Sequence, residues 1–339
     1  MRAGTRSILI ALVVIVAGIL IAKRGDIMPQ RDASWMLRRA QEQATLHSYS
    51  ATAQTSISCQ GKMTVSDVKI THMQPDRCRI EYVSEPLKGV IIGDDGARAW
   101  RLDPGTGRLV VGSSASCADD AAKLHLLLEN HRVSLAGMDR IAGRKAYALV
   151  VRPKDSSQIR KRLWIDTDSF VVLRQEDYDS YGEMQSSTRF TSIRFAESFP
   201  DKLFETPKGA KVTVTDRTLG GTMTLAKLSE AIGFAVRAPK YLPKGYMLDA
   251  CRVYACPCEC PHESACIRYT NGLSGISVFE SKAGSGCRAD AGCGQGPTKE
   301  CAITKADGDE VARLERDGIS FTVVADVDKR ELKRIVDSL

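Results

Sequence analysis

The chain is 339 residues long, with 43% hydrophobic residues, 26% charged residues and a formal net charge of +7. This composition is typical of packed globular proteins, so it excludes a disordered chain and a collagen-like fibre. The length suits about two domains of roughly 150 residues each. Charged residues among the first 26 positions account for +3 of the net charge. The rest of the chain is therefore too weakly basic to predict a nucleic-acid-binding protein.

Residues 7–22, SILIALVVIVAGILIA, form an uncharged apolar segment between Arg6 and Lys23. As a helix they would span about 24 Å, slightly less than the ~30 Å hydrocarbon core, and the flanking cations can reach the headgroups. We therefore expect residues 1–25 to be a membrane anchor. A cleaved signal peptide is the alternative, although its last residues make a poor cleavage site, and a buried core helix is the third. Both leading interpretations place the bulk of the chain outside the cytoplasm, and the anchor would hold it at the cell membrane.

Residues 26–214 have the pattern of a first domain built mainly from an antiparallel sheet. Apolar side chains near helical spacing predict a helix at 33–46. From Tyr49 the period changes to two, which places one row of side chains on a covered face and the other in water. The return strand, 63–73, loses its alternation at Ser66-Asp67, which predicts a β-bulge there.

Turn signals then separate a series of short strands. Asp95-Gly96 and the segment 104–107 are hairpin signals, and a helix is expected at 119–131. Short turns join antiparallel strands, because a parallel crossover needs a dozen or more residues. We therefore expect an antiparallel meander. Its remaining strands are predicted at 77–82, 133–138, 144–152, 160–166, 169–177 and 185–196.

The strand pattern dissolves near residues 204–214, and a smaller α+β domain is predicted at 215–339. It begins with a helix at 224–231 and ends with a helix at 328–338 that has an Asp at its N-cap. The strands between them are predicted at 234–238, 247–254, 265–270, 275–281, 310–316 and 318–325.

Eight of the eleven cysteines lie in a Cys/Gly/Pro-rich insertion at 251–301. Zinc sites favour C-x(2–4)-C pairs, and the C-x-C pairs here are tighter than that spacing. An even number of cysteines outside the cytoplasm favours disulfide bridges, of which we expect at least three, with undetermined connectivity. A metal site assisted by His262 and a redox-active site are the alternatives. The candidates are Cys251, Cys256, Cys258, Cys260, Cys266, Cys287, Cys293 and Cys301.

The first domain holds three further cysteines, for which a Cys59–Cys117 bridge and buried free thiols are both open interpretations. Sequence signals for catalysis are weak. The pairs Asp94-Asp95 and Asp166-x-Asp168 fall at tight turns, where Asp commonly bonds its own backbone. No nucleotide-binding, serine-hydrolase or zinc-protease motif occurs. We therefore expect no catalytic residues, no cofactor and no metal. The basic run at 152–162 is a solvated hairpin rim or a contact for lipid headgroups or an acidic partner.

The order of several segments resembles a known family. These segments are IAGRKAYALVVRPKD, KRLWIDTDSFVVLRQEDYDSYGE, APKYLPKGYML, ACIRYTNGLSGISVFES and RDGISFTVVADVDKRELKRIVDSL. Together they resemble the MucB/RseB regulators of the sigma-E envelope-stress pathway over most of residues 33–339. The first domain is also similar to the LolA fold, an incomplete antiparallel barrel with helices at its mouth. The resemblance implies an α+β protein in which a LolA-like half-barrel precedes the smaller domain.

The resemblance also implies a protein that binds rather than catalyses. Members of the family cover an anti-sigma factor outside the membrane and protect it from proteolysis, and the large domain is thought to accept acyl chains. The expected partners are an anti-sigma factor or another envelope protein, lipid acyl chains, and the membrane through the N-terminal segment. A lipid or lipoprotein carrier of the LolA type is the alternative function.

In the resembled fold, the apolar face of the meander lines a groove. Seven side chains fall on the rows that the alternation predicts to be covered, and they are the candidate groove residues. For any one of them, packing beneath the two helices is the alternative role. They are Ile57, Ile80, Tyr82, Trp100, Tyr147, Leu149 and Val151.

Overall fold

The computed structural model describes most of the chain, in the ranges 32–59, 61–114, 117–196, 198–208, 213–216, 222–255, 263–284, 302–306 and 308–339. The chain packs as two compact units. Among the described residues, the first comprises 32–178 and 182–216, and the second comprises 179–181 and 222–339 with the gaps given above. No helix within the described ranges is both long enough and apolar enough to cross a membrane. The predicted anchor, residues 7–22, lies outside those ranges.

The first unit contains two helices and twelve strands among its described residues. The helices are α1 (Ala33–Glu42) and α2 (Cys117–Asn130). The first six strands are β1 (Ser48–Cys59), β2 (Lys62–Met73), β3 (Arg77–Tyr82), β4 (Ile91–Asp94), β5 (Arg98–Asp103) and β6 (Arg108–Ser113). The other six are β7 (His131–Ile141), β8 (Arg144–Pro153), β9 (Lys161–Asp166), β10 (Val172–Tyr178), β11 (Met184–Ala196) and β12 (Thr213–Asp216).

These strands form one sheet of two meanders, in the order β12-β6-β5-β4-β3-β2-β1-β11-β10-β9-β8-β7. The expected antiparallel meander is present in each half of the sheet, and the sequence did not predict the pairing that joins the two halves. β1 pairs with β11 in the middle of the sheet, so α2 connects β6 to a strand at the opposite edge. All pairs are antiparallel except β12 with β6, which the sequence pattern did not predict.

The slip in alternation at Ser66-Asp67 is not a bulge, because β1 and β2 pair in unbroken register from Tyr49–His72 to Cys59–Lys62. Met63 and Val65 instead lie on the opposite face from Val68, and both are exposed near the hairpin tip. The pairing of β1 with β11 does have an irregularity. The adjacent residues Thr52 and Ala53 pair there with two residues of β11 that are two positions apart. The core of this unit covers the face that carries Tyr49, Ala51, Ala53, Val68, Ile70, Ile80, Tyr82, Ile92 and Phe190.

The described residues of the second unit include two helices, α3 (Leu225–Ile232) and α4 (Lys329–Asp337). Its strands form an antiparallel sheet in the order β13-β14-β15-β18-β17-β16. They are β13 (Met247–Ala255), β14 (Glu263–Thr270), β15 (Gly275–Lys282), β16 (Ala302–Ala306), β17 (Asp309–Arg316) and β18 (Ile319–Ala325). Both helices pack on this sheet, with Leu228 and Leu332 fully buried in its core. Antiparallel sheets with few helices are therefore confirmed as the architecture.

The strand predicted at 234–238 is wrong, because the backbone there bonds to side chains. Val236 N donates to Ser229 Oγ at 3.1 Å. Arg237 N donates to both carboxylate oxygens of Glu280, at 3.0 and 3.1 Å. These bonds hold the segment against the sheet without adding it as a strand.

Candidate functional site

The strand register places six of the seven candidate groove residues on one face of the first sheet, called here the groove face. Tyr82 pairs with Val68, which pairs with Ala53. Ile80 pairs with Ile70, which pairs with Ala51 on the same face. Directly paired residues share a face, and residues two apart on one strand do as well. Ile57 is connected to Val151 in the same way through Ser186, Asp177 and Lys161. Leu149 and Tyr147 lie two and four residues before Val151 on β8, so they share its face.

Most of the candidate residues on the groove face are packed against other side chains and closed to solvent. Ile80, Tyr82, Leu149 and Val151 are at most 7% exposed, while Ile57 and Tyr147 are half-buried. The four buried side chains behave as core residues, which is the alternative role considered from the sequence. Ile57 and Tyr147 are the two of these six residues that are partly accessible to solvent.

Trp100 does not belong to the groove face. It pairs with Gly93, which pairs with Arg79, and these residues alternate with Ile80 and Ile92 on the opposite face. The indole packs there with Leu109, and its Nε1 donates to the carbonyl of Phe204 at 3.0 Å. The prediction failed because alternation shows which residues of a strand share a face but not which face that is across a turn.

A row of buried polar side chains crosses one end of the groove face. Tyr49, His72, Cys78 and Asp94 are successive cross-strand partners on β1 to β4. Each is at most 7% exposed. The sequence analysis missed this row, although His72 and Asp94 occupy positions that continue the covered rows of their strands.

Two histidines at this end are held in their neutral form. His72 Nδ1 lies 2.6 Å from the carbonyl oxygen of His47, and since a carbonyl only accepts, this nitrogen carries the hydrogen. The Nε2 atoms of both rings are buried without a hydrogen-bond partner among the described residues. Burial lowers the pKa of each histidine to about 4. For His47 the nearby His72 lowers it further, against an opposing effect of Asp166.

Burial also shifts the pKa values of Cys78 and Asp94, at the other end of this row. It raises the pKa of the Cys78 thiol to about 12, with a smaller contribution from Asp94, so the thiol is protonated and unreactive. Burial raises the pKa of Asp94 as well, although hydrogen bonds from Ser114 Oγ and Gly96 N favour its charged form. Together these side chains form a buried polar layer.

The opposite end of the groove face carries an ion pair. Lys161 Nζ lies 2.5 Å from Asp177 Oδ1, and Ser186 Oγ donates to the other oxygen of Asp177 at 3.0 Å. Nearby in the same rows, Gln175 Oε1 and Ser66 Oγ are buried with no hydrogen-bond partner among the described residues. The groove face is therefore apolar in its middle and polar at both ends.

The acidic pairs considered for chemistry have structural roles. Asp166 accepts from Arg144 Nε at 2.5 Å, from Arg144 Nη2 at 3.0 Å and from Ser169 N at 2.8 Å. Burial by itself would raise the pKa of Asp166, but the bonds from Arg144 and Ser169 outweigh it and lower the pKa. Asp95 accepts from Ala97 N and Arg98 N within its turn. Within the described ranges no cluster of three metal-binding side chains occurs.

The basic run 152–162 is divided between surface and interior. Arg160 and Lys161 are buried, and Arg162 lies 4.0 Å from the Glu176 carboxylate. Lys154 is exposed, and its Nζ donates to the carbonyl of Glu129 at 2.6 Å. A solvated rim therefore describes only part of this run.

The structure tests few of the cysteine predictions. Cys251 is a fully buried free thiol in the core of the second unit, which corrects its assignment to a bridge. It pairs with Ile267 while Cys266 pairs with Arg252, so the side chains of the two cysteines lie on opposite faces of the sheet. The other six candidates, and the side chains of Cys59 and Cys117, lie outside the described part. Cys78 is a buried free thiol.

Comparisons with known proteins point to one family. A model of the MucB/RseB N-terminal domain matches residues 103–208. The sigma factor AlgU regulatory protein MucB of Pseudomonas aeruginosa is 27% identical over 207 residues. This match covers 60% of the present chain and 59% of that protein, so it spans less than two thirds of the relative.

Comparison with solved structures shows which folds this chain is similar to. A crystal structure of MucB in complex with MucA(peri) aligns with a TM-score of 0.60 and 23% identity, over 91% of this chain and 98% of that chain. A LolA superfamily protein from Nitrosomonas europaea aligns with a TM-score of 0.27 and 14% identity, over 52% of this chain and 98% of that chain. The comparisons confirm the resemblance that the sequence motifs predicted: this chain is MucB/RseB-like, with a match to the MucB/RseB N-terminal domain over residues 103–208.

Proposed function

We propose that this chain is an extracytoplasmic regulatory protein that binds an anti-sigma factor, with domains at 26–214 and 215–339. The observation that carries the proposal is the alignment with MucB in its complex with MucA(peri), which covers 98% of that chain and 91% of this one. A binding role also fits the polar side chains of the first unit. His72, Asp94 and Asp166 all make hydrogen bonds within the protein, in positions that stabilise it.

The test uses the purified full chain and the extracytoplasmic region of the anti-sigma factor from the same organism. Isothermal titration should show a complex with a dissociation constant of about 1 μM or tighter, typical of a specific interface. Limited proteolysis of the anti-sigma region should be slower when the chain is present. An extracytoplasmic domain of an unrelated membrane protein is the control. Absence of binding in both assays would remove the regulatory function.

The same proposal includes an acyl-chain ligand on the groove face. The face carries the half-buried Tyr147 and, in the row of the Lys161–Asp177 ion pair, the half-buried Ile57, next to buried neighbours that a chain could displace. Burying ten methylenes contributes on the order of 8 kcal/mol before the costs of association, since each contributes roughly 0.8 kcal/mol. The polar ends of the face could receive a headgroup.

Native mass spectrometry of the full chain purified from membranes should show bound lipid. Ile57→Asp should abolish that mass while circular dichroism stays unchanged. Leu149 is a poor position for this test, because it is 1% exposed and a charge there would unfold the core. Val65→Asp is the matched control, since Val65 lies on the other face of the same hairpin and is 46% exposed. A lipid-free chain, or equal losses in both variants, would leave protein binding as the function.

A lipid or lipoprotein carrier is the second candidate, favoured only by the apolar middle of the groove face. The two functions differ in how ligand and partner interact. For a regulator, adding the bound lipid to the titration should change the affinity for the anti-sigma region. For a carrier, lipid should pass from donor to acceptor vesicles at a rate proportional to the concentration of the chain, with no effect on the anti-sigma region.

A further inference from the structure

The strand β7 is an edge of the first sheet with a free backbone side. It pairs with β8 and is the last strand in the sheet order. Within the described ranges, no other backbone–backbone hydrogen bond involves residues 132–140. An open edge of this kind is a template onto which an extended peptide can add as a further strand.

The side chains in the middle of β7 are apolar and accessible. Leu135 is 47% exposed and Met138 is 56% exposed. The pairing with β8 is irregular between Leu135 and Gly137, where Gly137 has a φ of 140°. Leu135 lies opposite Leu149 and Met138 opposite Tyr147, so both border the groove face at its open edge. An added strand could cover them with apolar side chains of its own.

Both ends of β7 carry cations placed directly opposite other cations. Arg132 pairs with Arg152, and Arg140 pairs with Lys145. Like charges at directly opposed positions destabilise a sheet. Their hydrogen bonds go to carbonyl oxygens: Arg132 Nη2 to Lys154 at 3.1 Å, Arg152 Nε to Ser157 at 3.1 Å, and Arg140 Nη1 to Gly143 at 3.2 Å.

In the described part of the chain, none of these four cations forms an ion pair with a carboxylate. The edge therefore presents positive charge at two places separated by eight positions, about 26 Å at the rise of a strand. A ligand that carries carboxylates at both places would relieve the repulsion in each pair. A second copy of the same strand would do the reverse, because it would bring Arg132 and Arg140 against further arginines.

We propose that the β7 edge binds an extended peptide segment of a partner protein by strand addition. The segment is about nine residues long, with acidic residues at both ends and an apolar centre. Main-chain hydrogen bonds supply affinity, Leu135 and Met138 select the centre, and the two cation pairs select the acidic ends. This inference does not depend on the identity of the anti-sigma partner or on a lipid ligand.

The probe is a fluorescein-labelled synthetic peptide with two acidic residues at each end and alternating Val and Thr between them. Fluorescence anisotropy with the full chain should show saturable binding that weakens as salt is added. A peptide with lysines in place of the acidic residues should not bind. A peptide that is N-methylated at alternate amides should bind at least about tenfold more weakly, since strand addition needs those donors. The peptide variants test the proposal on the unmodified protein.

On the protein side, Arg132→Glu with Arg140→Glu should weaken peptide binding by at least about tenfold. Arg189→Glu with Arg194→Glu is the matched control, because these two arginines are exposed on β11, an internal strand. The control should change binding by no more than about twofold. Circular dichroism monitors folding of both variants.

Three results would overturn the proposal: no binding of the acidic peptide, equal binding of the N-methylated peptide, or equal loss in the control variant. A dimer in sedimentation that the Arg132→Glu and Arg140→Glu changes disrupt would also overturn it, in favour of a second copy as occupant. Titration with the anti-sigma region is a separate measurement, and it tests the proposed function. If only the peptide fails to bind, the proposal for the β7 edge has failed; if only the anti-sigma region fails to bind, the proposed function has failed.

Discussion

Gly93 makes room for the indole of Trp100 on the neighbouring strand. A Cβ atom at this glycine would lie 2.3 Å from Cζ2 of the ring. We expect Gly93→Ala to lower the free energy of unfolding by about 1–3 kcal/mol, because the indole must leave its position over the strand. Urea denaturation measures the change. Gly275→Ala is the control, since the nearest atom to its new Cβ is 3.7 Å away and stability should stay nearly constant.

Glu280 should make the second unit less stable as the pH rises. Burial raises its pKa to about 7 from 4.5, although Arg237 N favours the charged form. The folded chain therefore holds this proton over a range in which the unfolded chain has lost it. The stabilisation is complete below about pH 4.5 and disappears as the pH rises through about 7.

The matching variant is Glu280→Gln, which is neutral at every pH and keeps an oxygen for Arg237 N. At about pH 8 it should be more stable than the parent by on the order of 1–3 kcal/mol, and at about pH 5 the two should be nearly equal. Urea denaturation at both pH values measures this. Glu230→Gln, at an exposed position of α3, is the control. A difference that is the same at both pH values would contradict the assignment.

At the scale of elements, α4 depends on its N-cap. Asp328 Oδ1 accepts from Glu331 N at 2.9 Å, and the helix buries Leu332, Ile335 and Val336. Asp328→Ala should cost about 1 kcal/mol in urea denaturation. Asp337→Ala should have a smaller effect, because a carboxylate at a helix C-terminus is unfavourable and its pairing with Lys333 is exposed. Equal losses in the two variants would argue against the cap.

Element types were predictable where periodicity was long and regular. Both terminal helices of the described chain and most strands agree with the sequence prediction to within a few residues. The failures have a common cause. Residues 234–238 look like a strand, yet their backbone bonds to Ser229 and Glu280, which are distant in sequence or in another element. β12 is short and pairs with β6 across a hundred residues, so nothing local indicates it.

At the scale of the whole molecule, cell fractionation tests the membrane anchor predicted at residues 7–22. We expect the full chain to sediment with membranes and to resist carbonate extraction, because residues 7–22 are apolar and nearly long enough to cross the hydrocarbon core. A chain beginning at residue 26 should be released. The control is the full chain after detergent treatment, which should be soluble. A mature N-terminus near Lys23 in the soluble fraction would replace the anchor with a cleaved signal.

The sequence by itself determined the architecture of antiparallel sheets with few helices and the resemblance to the MucB/RseB family. Both depend on local information, namely the period of the hydrophobic pattern, the turn residues and the order of short motifs. It also placed six of the seven candidate groove residues in rows that share a face, because alternation along a strand is a geometric property of the backbone.

Only the tertiary structure decided how those rows combine. The pairing of β1 with β11 brings together strands more than a hundred residues apart, and it connects Ile57 with Val151 while Trp100 falls on the other face. The same pairing leaves β7 at an edge, with Arg132 and Arg140 at its ends. Such neighbours depend on the packing of segments that are distant in sequence, so the hydrophobic pattern of a single segment does not predict them.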